Sequence, residues 1–109
     1  MKTRSSQKTN SSPKLRLDKT EEQALHAALV ETGIQQAYIF GSRTDHSRRG
    51  GDIDLLVYSD TNAFELSRRI ATAFFNHCEE KIDVVVINPD QITIEQQAFL
   101  NTLKTTPFP

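Results

Sequence analysis

The chain has a single cysteine, Cys78, among 109 residues. An intrachain disulfide is impossible, and a reducing compartment, the cytoplasm, is expected. Long apolar runs are missing too. None approaches the roughly 20 residues that a membrane-spanning helix requires. The N-terminus lacks the apolar stretch of a secretory signal. No internal repeat is visible. Basic residues are scarce where a general nucleic-acid binder needs them. Residues 1–17 hold Lys2, Arg4, Lys8, Lys14 and Arg16 and no acid, a charge of +5. Against a total of −1, residues 18–109 therefore carry −6. A body so acidic is a poor match for a phosphate backbone, and direct nucleic-acid binding is not expected. A hydrophobic share of 37% is somewhat low, but it suits one small globular domain of this length.

Residues 1–17 are rich in Ser, Thr, Lys and Gln and bury too little apolar surface to order themselves. They read as a flexible basic tail. A mitochondrial presequence shares that composition, but the segment has no apolar helical face. Residues 18–109 form the expected domain. A helix is predicted over 18–32: Thr20 and Gln23 have capping-box spacing, and Glu21 and Glu22 suit the positive end of the helix dipole. Leu25, Ala28 and Leu29 form its apolar stripe, and Gly33 suits its stop. A strand over 36–40 leads to Gly41, a helical turn, and a loop holding Gly50 and Gly51. A strand over 52–58 follows. A helix over 61–77 comes next, with Phe64, Ile70, Ala71, Phe74 and Phe75 as its core residues. A third strand covers 81–87. After Pro89 and Asp90, a short helix carries Ile94, Ala98, Leu100 and Leu103.

This alternation argues for an α/β (α+β) fold, a small sheet of three or more strands flanked by helices. Leu55-Leu56-Val57 and Val84-Val85-Val86-Ile87 suit strands covered on both faces. The 11 residues 41–51 between the first two strands are few for a helical crossover. A mixed sheet is therefore expected.

Three acids stand in or beside these strands. Asp52 and Asp54 are two residues apart, so their side chains share a face of the second strand. Two like charges so close raise each other's pKa unless a cation lies between them. A hard divalent ion such as Mg2+ is the simplest occupant. Asp83 opens the third strand and converges on the pair if the two strands are neighbours. Three carboxylates suit two Mg2+ ions and a bound triphosphate. Gly41 lets backbone approach a ligand, Ser42 adds a hydroxyl, and Arg43 adds a charge-assisted bond to phosphate. Arg48, Arg49 and His46 lie in the loop between. Asp52 alone would pass for a turn residue, and Ser42 for a helix cap. Asp54, followed at once by Leu55-Leu56-Val57, passes for neither. His77 and Cys78 lack the further partners that a zinc site needs.

Gly41-Ser42, nine further residues, Asp52-Ile53-Asp54, and Asp83 in an apolar strand resemble the polymerase-beta nucleotidyltransferase superfamily. Phe40-Gly41-Ser42-Arg43 and the short chain resemble its minimal nucleotidyltransferases, over about residues 20–105. Asp83 to Asp90, followed by the segment Ile94 to Phe99, resembles the tail of members encoded beside an all-helical partner. The resemblance implies a polymerase-beta-like fold in which Asp52 and Asp54 bind Mg2+ and Asp83 completes the site. It implies that Gly41 and Ser42 contact the phosphates of a nucleotide, with ATP as donor. It further implies an antitoxin of a toxin–antitoxin pair, moving AMP to a hydroxyl on a HEPN-type helical partner. Two other readings stand beside it. One is a non-catalytic module that neutralises its partner by contact. The other is a small-molecule nucleotidyltransferase of the antibiotic-modifying kind, whose pocket a homodimer would complete. Gly50-Gly51 and the His-containing loop depart from the family pattern.

Overall fold

Asp18 starts the first helix. Its carboxylate accepts the Glu21 backbone N–H at 2.7 Å, and the Glu21 carboxylate accepts the Asp18 N–H at 3.0 Å. This reciprocal capping box opens α1 (Lys19–Thr32). It forms two residues before the Thr20–Gln23 pair that spacing alone suggests. Thr20 lies inside the helix, where its own N–H and C=O follow helical geometry and it cannot act as a cap. Gly33 ends α1 with a φ of 76°, its N–H turned back to the carbonyls of Leu29 and Val30. No atom lies within 4 Å of a Cβ built on Gly33. Gly33→Ala therefore meets backbone strain alone, about 1–2 kcal/mol. We expect a thermal midpoint lower by about 5–10 °C and an unchanged affinity for nucleotide, measured on the same sample.

The structure, a computed structural model, describes residues 16–44 and 52–108, with only the backbone at Ser42 and Thr44. After α1 come β1 (Ala37–Phe40), a 3-10 turn (Gly41–Thr44), β2 (Ile53–Tyr58), α2 (Ala63–Phe75), β3 (Ile82–Ile87), α3 (Ile94–Asn101) and β4 (Thr106–Phe108). The sheet order is β3-β2-β1-β4. β1 runs antiparallel to β2 and β4, and β2 runs parallel to β3, with α2 as the crossover. The mixed sheet expected from the short 41–51 connection is present. β4 is an addition. Three residues are too few for a periodic pattern, and Pro107 sits on an edge strand, where a missing N–H is tolerated.

Alternation along the strands sorts the side chains into two layers. Ala37, Ile39, Ile53, Leu55, Val57, Ile82 and Val86 face α1 and α2 and form the main core with Leu25, Ala28, Leu66, Ile70 and Phe74. Phe40, Leu56 and Ile87 point the other way, where Tyr38, Val85, Leu100 and Leu103 cover them. β2 is thus covered on both faces, which explains its unbroken apolar run.

α2 corrects part of the predicted core. Leu66, Ile70, Ala73 and Phe74 are its buried residues, one stripe at spacings of four, three and one. Phe64 is 72% exposed and Phe75 49% exposed. Phe64 stands two residues before Leu66, on the opposite side of the helix. Phe75 stands one residue past Phe74, a turn of about 100° away. α3 buries no residue fully, and its Ile94 is exposed. The last two residues of the segment that composition assigns to the tail, Arg16 and Leu17, are among the described residues. Leu17 packs against the main core, and the Arg16 N–H donates to the Arg43 carbonyl at 2.8 Å. The remainder of that tail, residues 1–15, lies outside the described residues. No described helix is long and apolar enough to cross a membrane.

Candidate active site

The parallel pairing of β2 with β3 builds the acidic site. Asp54 stands in register with Asp83, one residue into each strand. On its other side Asp54 faces Phe40 at the end of β1. Ile53, Leu55 and Ile82 point into the helix-covered core, so alternation turns Asp54 and Asp83 to the opposite face. Asp52 immediately precedes β2 and shares the parity of Asp54. The three acids predicted from sequence therefore meet at one end of the sheet. Burial pushes the Asp54 carboxyl above the usual carboxylate range, and the charges of Asp83 and then Asp52 push it further. Asp52 lies 3.6 Å from the Lys81 ammonium, an exposed contact that contributes about 1 kcal/mol at most. Asp83 is exposed to solvent.

Among the described residues, no three Asp, Glu, His or Cys side chains form a ready-made metal cage. Mg2+ does not demand one: it is commonly held by one or two carboxylates, with waters and substrate phosphates completing its shell. The donor set here is all carboxylate oxygen. Its central member, Asp54, is half-buried and opposed by two like charges. Such a set fits a hard divalent cation, with Asp52, Asp54 and Asp83 as the residues that would hold it.

Gly41 is tied to this site more tightly than its place in a turn suggests. It has a φ of 76°, and a Cβ built on it would overlap the Asp54 carboxylate. Conformation and space both oppose a side chain here, because its first carbon would have to displace the Asp54 carboxylate. The 3-10 turn that begins at Gly41 is four residues long. Ser42 lies in it, but its hydroxyl is outside the described atoms. His46, Arg48, Arg49, Gly50 and Gly51 also lie outside the described residues.

Arg43 is a correction. Expected beside phosphate, it is only 6% exposed and turned toward α1. Nη1 donates to Glu21 Oε1 at 2.8 Å, and Nη2 donates to Glu21 Oε2 at 2.9 Å. Nη1 also donates to the Arg16 carbonyl at 2.7 Å, and Glu80 approaches Nη2 at 3.6 Å. The hydrogen bond to Glu21 raises the pKa of Arg43, burial opposes that, and the charges of Glu21, Glu80 and Asp18 raise it further. A guanidinium takes this position because its planar fork matches a carboxylate, and Glu21 in the first turn of α1 presents one within reach. Glu21, which the sequence marks only as a helix-dipole residue, is thus the residue that reading missed. Its sole signal was an acid at the third position of a helix, where a capping box also asks for one.

A cavity of about 610 Å3 opens beside α2, lined by Phe64, Arg68, Thr72 and Asn76 among others, and none of the three acids lines it.

A mixed sheet carries paired acids at the start of one strand, a third acid in register on the next, and a glycine turn against them, the arrangement that the sequence leads one to expect of a nucleotidyltransferase. The family comparison agrees. Residues 23–103 match the family described as polymerase beta, nucleotidyltransferase, and the chain belongs to that family. No curated protein matches the chain.

Proposed function

We propose that this nucleotidyltransferase moves AMP from ATP to a hydroxyl on a HEPN-type helical partner, the acceptor oxygen bonding to the α phosphorus as pyrophosphate leaves, and thereby acts as the antitoxin of a toxin–antitoxin pair. The observation that carries the reading is the shared rung of Asp54 and Asp83, with Asp52 alongside and Gly41 against Asp54. Asp52 and Asp54, with Asp83 beside them, would hold Mg2+, which would supply charge to offset the carboxylate repulsion and to polarise the triphosphate. Asp83, the most open of the three, orients the acceptor hydroxyl and takes its proton. The Gly41-Ser42 backbone faces the phosphates.

The partner side of the proposal rests on what surrounds the acids. The described elements serve the sheet or its covers, which supports an acceptor supplied by another chain. Phe99 of α3 is partly exposed and contacts the Phe40 ring edge-on, with centroids 6.0 Å apart. Phe40 is the cross-strand neighbour of Asp54. Phe99 thus presents an exposed apolar ring against the cross-strand neighbour of Asp54, which supports a protein acceptor over a small sugar. Incubation with a helical partner, ATP and Mg2+ is expected to raise the partner's mass by whole AMP units. A stable complex without that shift would favour neutralisation by contact alone.

A further inference from the structure

The bonds around Arg43 form a latch between α1 and the glycine turn. Glu21 Oε1 accepts from both Arg43 Nη1 and the Asp18 N–H, and Oε2 accepts from Arg43 Nη2. Three donors therefore fix one carboxylate. Glu21 is only 3% exposed, so little water competes for it. Arg43 is held twice over. Its side chain donates to the Arg16 carbonyl, and its own carbonyl accepts the Arg16 N–H. Both backbone and side chain of the third residue in the turn are thereby tied to the segment entering α1.

A buried ion pair of this kind is weak support for stability, because desolvation cancels much of its attraction. What it supplies is geometry: a rigid fork of fixed length. Gly41 lies two residues upstream, with no room between it and Asp54 for even a methyl group. A shift of the turn therefore changes the spacing between the turn backbone and the acid directly. A turn backbone that moves away from a phosphate gives up charge-assisted hydrogen bonds, each worth about 10- to 100-fold in affinity.

We propose that Glu21 is a positioning residue for the nucleotide. Through Arg43 it fixes Gly41 and Ser42 against Asp54, and so sets affinity for the triphosphate without touching it. This rests on the reading that the turn receives phosphate. Glu80 also faces Arg43, but at 3.6 Å and from a half-exposed position, so it is a weaker neighbour and a suitable control.

Glu21→Gln keeps the size and the cap to Asp18 but gives up the charged fork. Two measurements on the full chain test the idea. In amide hydrogen exchange, residues 41–44 should exchange at least about 10-fold faster in E21Q, with the amides of α2 and β3 unchanged. In titration with ATP and Mg2+, Kd should rise about 10- to 100-fold, the scale of one lost hydrogen bond to a charged group, while turnover at saturating ATP stays within a few-fold. E80Q should match wild type in both. If E21Q does not fold, R43K carries the same test, because it keeps the charge and loses the fork. Wild-type exchange at 41–44 together with wild-type affinity overturns the proposal. Faster exchange throughout the chain overturns it too, because Glu21 then serves stability alone. A wild-type protein that binds no ATP would fail the proposed function, and the exchange measurement would still decide whether the latch exists.

Discussion

Replacing Asp52 and Asp54 together by Asn is expected to abolish Mg2+-dependent ATP binding and to lower nucleotidyl transfer by at least about 1,000-fold. Loss of one preorganised group at a developing charge already costs about 100- to 1,000-fold, and here two of the three carboxylates go at once. Isothermal titration with ATP, with and without Mg2+, reads the binding, and mass spectrometry of the acceptor reads the transfer. Retained turnover would sink the metal-site reading. Stability should move the other way. The Asp54 carboxyl is raised above its usual range by burial, then by Asp83 and Asp52. A carboxyl harder to ionise in the folded chain than in the unfolded one binds its proton more tightly when folded. Its contribution therefore favours folding as pH falls from neutral through the raised titration of Asp54, and opposes folding above it. D54N removes that opposition. Without metal at pH 7, D54N should melt above wild type, and the gap should narrow as the pH is lowered. Adding Mg2+ and ATP should raise the wild-type midpoint and leave the double variant where it was. A variant that is inactive yet more stable is hard to explain by misfolding.

Gly41→Ala is expected to be far more damaging than Gly33→Ala, the other described glycine. The left-handed φ costs about 1–2 kcal/mol for an alanine. The added carbon would also overlap the Asp54 carboxylate, so the turn or the acid must move. We expect a lower thermal midpoint together with a loss of ATP affinity of about 100-fold, the scale of one or two lost hydrogen bonds to phosphate. Gly33→Ala is the matched control. It has the same φ of 76° with nothing nearby, so it shares the strain and not the collision. Equal losses of affinity in the two variants would mean that Gly41 matters for backbone freedom only.

The comparison between sequence and structure divides along a physical line. Periodicity and local chemistry revealed α1, α2 and the three longer strands, because each carries its own pattern of burial. The paired acids were visible for the same reason: Asp54 interrupts an apolar run that has to be buried. Asp83 becomes legible as a partner if the second and third strands are neighbours; β2 and β3 do pair, in parallel, with Asp54 in register with Asp83. β4 was invisible, since Thr-Pro-Phe holds no period. Arg43 was misjudged because a charged residue beside a phosphate turn looks the same whether it faces the ligand or the protein. Its direction depends on Glu21, 22 residues earlier, and no local pattern records that distance. Phe64 and Phe75 were misplaced because hydrophobicity identifies apolar residues but only helix phase identifies the buried ones.

The alternation that exposes Asp54 and Asp83 has a consequence for how the sheet assembles. Shifting β3 by one residue against β2 would keep the backbone hydrogen-bonding capacity of both strands but turn one strand's side chains over. Val84, Val85 and Val86 are alike and would offer little objection to such a slip. Asp83 would object, because the same shift would drive its charge into the layer where Ile82 now packs beneath the helices. The acids that make the site costly to ionise thus also act as alignment marks, and the chemistry of the protein polices the pairing of its own strands.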